Sequence, residues 1–411
     1  MTATSCNGPL HGLTVLDLSK VLAGPWATQV LGDLGAEVIK VELPDVGDET
    51  RRWGPPFLDD GSNDAAYYLA ANRNKRAIAV NIATPEGQSL IRDLAAKADI
   101  VVENFKVGAL ARYGLDYTAL SAIKPDLIYC SITGFGQDGP HAARGGYDFL
   151  VQGMSGLMSV TGFPDDQGGA PTKVGVPVSD LFTGLYAAIA ILAAVNHRNT
   201  TGEGQHVDCA LLDTQLSLLA NQASNWLNGG MEPRRMGNEH PNVVPYQDFA
   251  TSDGHVLVAV GTDKQFRGFC TLIGLGELGT DERFATNAGR NVNRRALQAL
   301  FTPAIARWTR DDLLAAMKVE GLPGGPVNTV PQALSDPQVE AHNLIQSFKR
   351  GEQDIHTIAF PVRLSKSPAT YRHAPPIRGA DTDQILREQL GLTDAQIEGL
   401  QALGVIEESK P

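Results

Sequence analysis

A chain of 411 residues exceeds the usual size of one hydrophobic core, so two domains, or one domain with a large insertion, are expected. Its hydrophobic share of 43% and charged share of 19% exclude a disordered chain; the 43 Gly and 24 Pro fall between periodic segments and punctuate loops. The formal charge of −12 argues against nucleic acid or an anionic membrane as partner, so an anionic ligand would need a local basic patch.

The opening stretch, Met1 to Gly12, has no basic segment followed by an apolar run, so no signal peptide is expected there. Residues 13–18 read as a buried strand, Lys20-Val-Leu-Ala-Gly-Pro25 as a turn, and residues 27–34 as a helix ended by Gly35. The alternation recurs with strand 37–41, strand 77–80, helix 85–96, strand 100–103, further helix, and strand 127–132. Strand, short turn, helix, strand is the signature of parallel βαβ units, so an α/β class with a doubly wound parallel sheet is expected. Ligands of such sheets sit at the carboxyl ends of the strands. Those ends carry Lys20 to Gly24, Glu42 followed by Arg51 and Arg52, Asn81-Ile-Ala83, Asn104-Phe105 and Thr133-Gly134. Asn72-Arg73-Asn74-Lys75-Arg76 concentrates basic charge, as either a solvated turn or a phosphate contact.

Gly134-Phe-Gly136-Gln-Asp-Gly139 has the spacing of a dinucleotide fingerprint. Pro140 and a polar loop follow where a helix should open, and the motif falls on the fifth strand, so NAD binding is not expected. Residues 147–154 read as a short helix. Gly175-Val-Pro177-Val-Ser179-Asp180 then leads into an almost unbroken apolar helix over residues 181–195, closed by Asn196-His-Arg-Asn199. Proline is excluded from a helix interior, so turning starts at Ser179 or Asp180. The local pattern favours a helix cap at Asp180, with Ser179 able to cap equally well. The alternative is that Asp180 is a carboxylate nucleophile against a buried, Gly-flanked wall. The apolar run is too short for a membrane span.

Strand 206–208 and a helix over residues 210–227 follow, with an apolar stripe at Leu212, Leu216 and Leu219. Residues 229–245, rich in Gly, Pro, Asn and His, read as a linker, with His240 a residue that could line the site. A smaller α+β unit then has a strand pair about Asp253-Gly254, a Gly261-Thr-Asp263 loop, helices 265–273, 296–308 and 311–320, and strand 327–329. Strands 345–349 and 356–360 and a helical tail over 382–403 read as a return to the first domain. The expected division is a large domain 1–228, a small domain 229–330 and a C-terminal return 331–411. Cys6, Cys130, Cys209 and Cys270 form no CxxC and the histidines no ligand-spaced cluster, so a reduced, cytoplasmic protein without a metal is expected.

Several motifs in one order resemble the class III CoA-transferases, the family of formyl-CoA transferase and carnitine CoA-transferase. They are Asp17-Leu-Ser with Ala23-Gly-Pro25, the run from Leu34 to Glu42, Gly47-Asp48, Thr84-Pro-Glu-Gly87, Val102-Glu-Asn-Phe105, Gly145-Gly-Tyr-Asp148, Ser179 to Gly184 and Gly202-Glu-Gly-Gln205. The resemblance implies that Asp180 is the covalent nucleophile, overriding the cap reading, and that coenzyme A is a substrate with no tightly bound cofactor. It implies CoA contacts at Leu22, Ala23, Val80, Asn81, Ala83, Asn104, Phe105, Lys106 and Arg112. Tyr147, Arg144, Gly261 and Arg51 are the substrate-side candidates, with Arg51, Arg52 and Arg144 the possible cations for a distal carboxylate. A finer resemblance, in Tyr129-Cys-Ser-Ile-Thr-Gly134, Ser155 to Met158, Asp180 to Tyr186 and Val244-Pro-Tyr-Gln247, is to the succinyl-CoA:dicarboxylate branch. Leu22 and Thr262-Asp263 replace the amide and glycines of formyl-CoA transferase, which argues against oxalate/formyl exchange. Racemase relatives carry a His where this chain has Tyr147, so a racemase is the alternative reading, followed by a CoA-binding protein without turnover. The resemblance also implies a ring-shaped chain in an interlocked homodimer.

Overall fold

The computed structural model describes residues 8–407; Cys6 and the first residues of the opening stretch lie outside them. Six parallel strands form one sheet: β1 Thr14–Asp17, β2 Glu37–Glu42, β3 Lys75–Ala79, β4 Ile100–Glu103, β5 Ile128–Thr133 and β6 Gln205–Ala210. Their order is β3-β2-β1-β4-β5-β6, which is doubly wound and reverses direction between β1 and β4. The register places Leu16 beside both Ile39 and Val101. β4 and β5 are buried along their whole length, because a parallel sheet with helices on both faces leaves neither face to water.

Alternate residues feed two cores. Val15, Val38, Val102 and Cys130 face helix Ala23–Asp33 and the long helix Val178–Thr201. Leu16, Ile39, Val101 and Tyr129 face helix Pro85–Ala95 and the C-terminal segments around Ile385 and Ile397. That tail is stitched to the sheet by hydrogen bonds from Asn81 N–H to Val405 O (2.7 Å) and from Ala77 N–H to the Asp381 carboxylate (2.8 Å).

Contact clustering divides the chain into two compact units. The first holds the described residues up to Leu157, Val174–Leu227 and the described residues from Glu340 onward. The second holds Met158–Lys173 and Asn228–Val339. It is built on an antiparallel sheet of Tyr246–Ala250, His255–Ala259 and Gly324–Pro326, packed with helices around Phe266, Phe269 and Phe301. The excursion at 158–173 was not visible in the sequence; Gly237 N–H donates to Gly162 O (2.9 Å) and ties it to this unit.

Several boundaries differ from expectation. The long helix runs over 24 residues, Val178–Thr201, to Gly202 in a left-handed turn, because Asn196 to Thr201 keep turning instead of closing it. It is thus the one helix among the described residues with the length and apolarity to cross a membrane. Its Thr183, Ala187, Ile191 and Ala194 are nevertheless buried at helical spacing in the first core, as befits a core helix. The helix read at 210–227 is two, Leu211–Leu218 and Ala220–Gly229, broken where Ala220 takes φ +42°. The last strand of the second unit lies three residues before its expected place.

Candidate active site

The site is built on the loop that leaves β1 at the switch point. Asp17, fully buried, accepts hydrogen bonds from Ser19 N–H (3.0 Å), Thr28 Oγ1 (2.6 Å) and Lys75 Nζ (3.0 Å), and from the Ser19 hydroxyl. Burial alone would raise the Asp17 carboxyl, but Lys75 and Lys40 outweigh it and hold it below the usual carboxylate range. Val21 adopts φ +69°, a conformation rare for a β-branched residue. Both Asp48 oxygens receive its N–H (3.2 Å each), and Asp48 is itself anchored by buried Lys40 (2.9 Å). Across the switch point, Asn104 after β4 accepts from Lys20 N–H (2.9 Å) and donates to Lys20 O (2.6 Å). Two strand ends are thereby locked into one rigid rim.

Two cavities open along this rim. One, of about 640 Å³, is lined by Lys40, Trp53, Val80, Asn81, Ala83, Phe105 and Arg112 among others. The other, of about 420 Å³, is lined by Leu22, Ala23, Asn104, Lys106, Arg144, Tyr147 and Asp180 among others. Lys20, Glu49 and Phe105 are walls of both, so the two form one crevice of a size suited to a large cofactor-like ligand.

Asp180 is the third residue of its helix, one turn beyond Pro177, and not its cap: no side chain caps that terminus from within the segment. Ser179 does not cap it either, since its hydroxyl donates to Gln215 Oε1 (2.6 Å). The terminal N–H of Ser179 is satisfied from a distance, by the carboxylate of Asp148 (2.8 Å), whose other oxygen accepts from Gln152 (2.7 Å). Asp180 is thus free for chemistry. Burial, reinforced by the like charge of Asp148, pushes its carboxyl up to about 7, and no hydrogen bond among the described residues opposes the rise. The helix approaches this closely because Gly184 lacks a side chain: a Cβ there would lie 2.5 Å from Ala23 O. Tyr67 stands within electrostatic reach of both carboxylates, and burial with those charges raises its phenol to about 12.

The structure brings Leu22, Ala23, Val80, Asn81, Ala83, Asn104, Phe105, Lys106 and Arg112 together along the crevice, with Tyr147 and Arg144 at the Asp180 end. Arg51 is placed otherwise. It is buried and committed to Glu42 (2.6 Å) and Asp64 (2.8 Å), which leaves it no free face for a substrate carboxylate. Gly261 belongs to the second unit, where its N–H donates to Gln265 Oε1 (3.2 Å) at a helix start. His240 also lies there, its Nδ1 accepting from Asn242 N–H (3.0 Å) and Val243 N–H (3.1 Å). The basic run at 72–76 is neither a solvated turn nor a phosphate contact: Arg73 is buried on Asp33 (2.9 Å), Lys75 on Asp17, and Arg76 pairs with Glu37 (3.1 Å). The Gly134 to Gly139 motif opens no helix; the next begins at Asp148. Sequence reasoning missed Tyr67, which has no local signal, and met Asp148 only as the end of a family motif and within a short helix, without a role.

The family model for CoA-transferase family III matches residues 10–382. The chain belongs to CoA-transferase family III. Among similar proteins, the succinate–glutarate CoA-transferase of Agrobacterium fabrum is 48% identical over 92% of this chain and 95% of its own length. The human succinyl-CoA:glutarate CoA-transferase is 41% identical over 97% and 90%. The succinyl-CoA:mesaconate CoA-transferase of Haloarcula marismortui is 38% identical over 90% and 93%. The crystal structure of a CAIB/BAIF family protein from Brucella suis superimposes with a TM-score of 0.83 at 50% identity, covering 93% of this chain and all of that one. As a family III enzyme, this chain is a CoA-transferase that works on CoA thioesters.

Proposed function

We propose that this enzyme moves CoA between succinyl-CoA and a small dicarboxylate through an aspartyl-CoA thioester on Asp180. The observation that carries the reading is the half-buried Asp180 carboxyl, without a hydrogen-bond partner among the described residues, on the wall of the crevice that also holds Leu22, Asn104 and Lys106. The names of the relatives, all CoA-transferases acting on dicarboxylates, supply the substrate class. In the first half-reaction the Asp180 carboxylate attacks the thioester carbonyl of succinyl-CoA, forming a mixed anhydride and expelling CoA thiolate. The thiolate attacks the Asp180 acyl carbon, which forms the aspartyl thioester and releases succinate. The acceptor carboxylate attacks that thioester to give a second anhydride. Returning thiolate takes the acceptor acyl group, and Asp180 is regenerated as carboxylate.

Each step exchanges one activated acyl bond for another, so no strong base is required. A carboxyl raised to about 7 is more basic than an ordinary Asp, which strengthens it as a nucleophile once ionised. The paired hydrogen bonds between Lys20 and Asn104 hold the rim of the crevice together across the switch point. The racemase alternative has Tyr147 in place of a second proton-exchanging base. We further read the enzyme as a cytoplasmic homodimer; Leu185, Tyr186 and Ile189, exposed on the long helix, support an apolar contact there. The test is to incubate the protein with succinyl-CoA and isotopically labelled glutarate. Labelled glutaryl-CoA with ping-pong kinetics supports the reading, and exchange of an α-proton with solvent without CoA transfer overturns it in favour of a racemase.

A further inference from the structure

The cavity at Asp180 has three basic side chains on its walls: Lys20, Lys106 and Arg144. Lys20 is paired with Glu49 at 2.6 Å. Neither Lys106 nor Arg144 has a carboxylate partner among the described residues, in a chain whose acidic groups outnumber its basic ones. Arg144 is held by an aromatic ring, an imidazole nitrogen and a thioether. Its guanidinium lies 5.2 Å from the centre of the Phe135 ring, with His141 Nδ1 at 3.5 Å and Met154 Sδ at 3.8 Å. These contacts orient the planar fork without neutralising it.

The backbone that carries Arg144 is fixed against the end of β5. Gly134 and Gly146 lie back to back, so close that a Cβ on Gly146 would sit 2.3 Å from Gly134 Cα. A Cβ on Gly145 would lie 3.6 Å from Lys106 Cε, so the lysine stem runs beside the residue that follows Arg144. Two uncompensated cations therefore share one stretch of wall in the cavity that also holds Asp180.

We propose that Arg144, assisted by Lys106, holds the distal carboxylate of the acyl group, and so selects dicarboxylates over monocarboxylates. The inference rests on the transfer chemistry proposed above. A dicarboxylate reacting at Asp180 carries its second charge into a cavity close to the Asp148 carboxylate, and a forked guanidinium supplies the matching bidentate contact. Because donor and acceptor pass through the same site in turn, the same pair of cations holds the succinyl group of the donor and the distal carboxylate of the acceptor.

The experiment compares wild type, Arg144→Gln, Arg144→Lys and Lys106→Gln, using succinyl-CoA and butyryl-CoA as donors and glutarate and butyrate as acceptors. Binding of free CoA is measured alongside by calorimetry. For Arg144→Gln the expected result is a rise of about tenfold to a hundredfold in KM for glutarate and succinyl-CoA. KM for butyrate and butyryl-CoA, and the Kd for free CoA, should stay within about twofold. Arg144→Lys recovers part of the loss, and Lys106→Gln raises KM for glutarate by less than Arg144→Gln does. An equal loss of affinity for free CoA and for all thioesters in Arg144→Gln would place the guanidinium on the CoA phosphates and overturn the proposal. An unchanged preference for glutarate over butyrate in Arg144→Gln also overturns it. Failure of the transfer reading itself looks different: the wild type would then form no acyl-CoA from any acceptor.

Discussion

Replacing Asp180 by Asn removes an ionisable group while keeping its shape, and the structure fixes the sign of the effect on stability. Desolvation and the like charge of Asp148 push the folded carboxyl up to about 7, against an ordinary value of 3.8. Below about pH 4 both states are protonated and the group is neutral in its effect. Between about 4 and 7 the folded state alone holds the proton, so stability falls by about 1.4 kcal/mol for each pH unit gained. Above 7 both states are ionised and the full cost of the buried charge is present. A gap of about three pH units sets that cost at no more than about 4 kcal/mol. Urea unfolding followed by tryptophan fluorescence, run on both proteins from pH 4 to 9, checks it. Asp180→Asn should be the more stable protein at pH 8.5, with an advantage that shrinks steadily and vanishes near pH 4. Equal stability at pH 8.5, or an advantage that grows toward acid, would show that Asp180 is not buried without a compensating partner.

Asp148→Asn removes the like charge while keeping an acceptor for Ser179 N–H. The pH midpoint for covalent labelling of Asp180 should move acid by up to about one pH unit, as followed by stopped-flow quench of adduct formation. Gly184→Ala drives a methyl group against Ala23 O. It should cost about 1–3 kcal/mol, read as a lower Tm, and should raise KM for acyl-CoA because the Leu22–Ala23 wall shifts.

The parallel sheet was legible because its strands are short apolar runs separated by Gly and Pro turns, and that punctuation is local. The helix near residues 147–154 announced itself in the same way. The assignment of Asp180 was not local. Pro177-Val-Ser-Asp180 reads as a capped helix start, and only Asp148, 32 positions earlier, takes over the capping and frees the aspartate. The basic run at 72–76 misled for the converse reason. Its partners Asp17 and Asp33 are brought to it by the sheet, and charge that looks solvent-facing in sequence is neutralised inside the fold. Tyr67 was invisible because it reaches the site from a segment with no motif, and Arg51 looked available because Glu42 and Asp64 are joined to it only by tertiary folding.

Covalent catalysis by Asp180 is tested most directly by intact-mass spectrometry after brief incubation of the enzyme with succinyl-CoA, with peptide mapping of any adduct and Asp180→Ala as control. The expected result is a mass gain of one CoA on the peptide that contains Asp180, absent from the variant and discharged by added dicarboxylate. CoA binding and turnover with no covalent species, or an adduct that persists in Asp180→Ala, would contradict a nucleophilic role for this carboxylate.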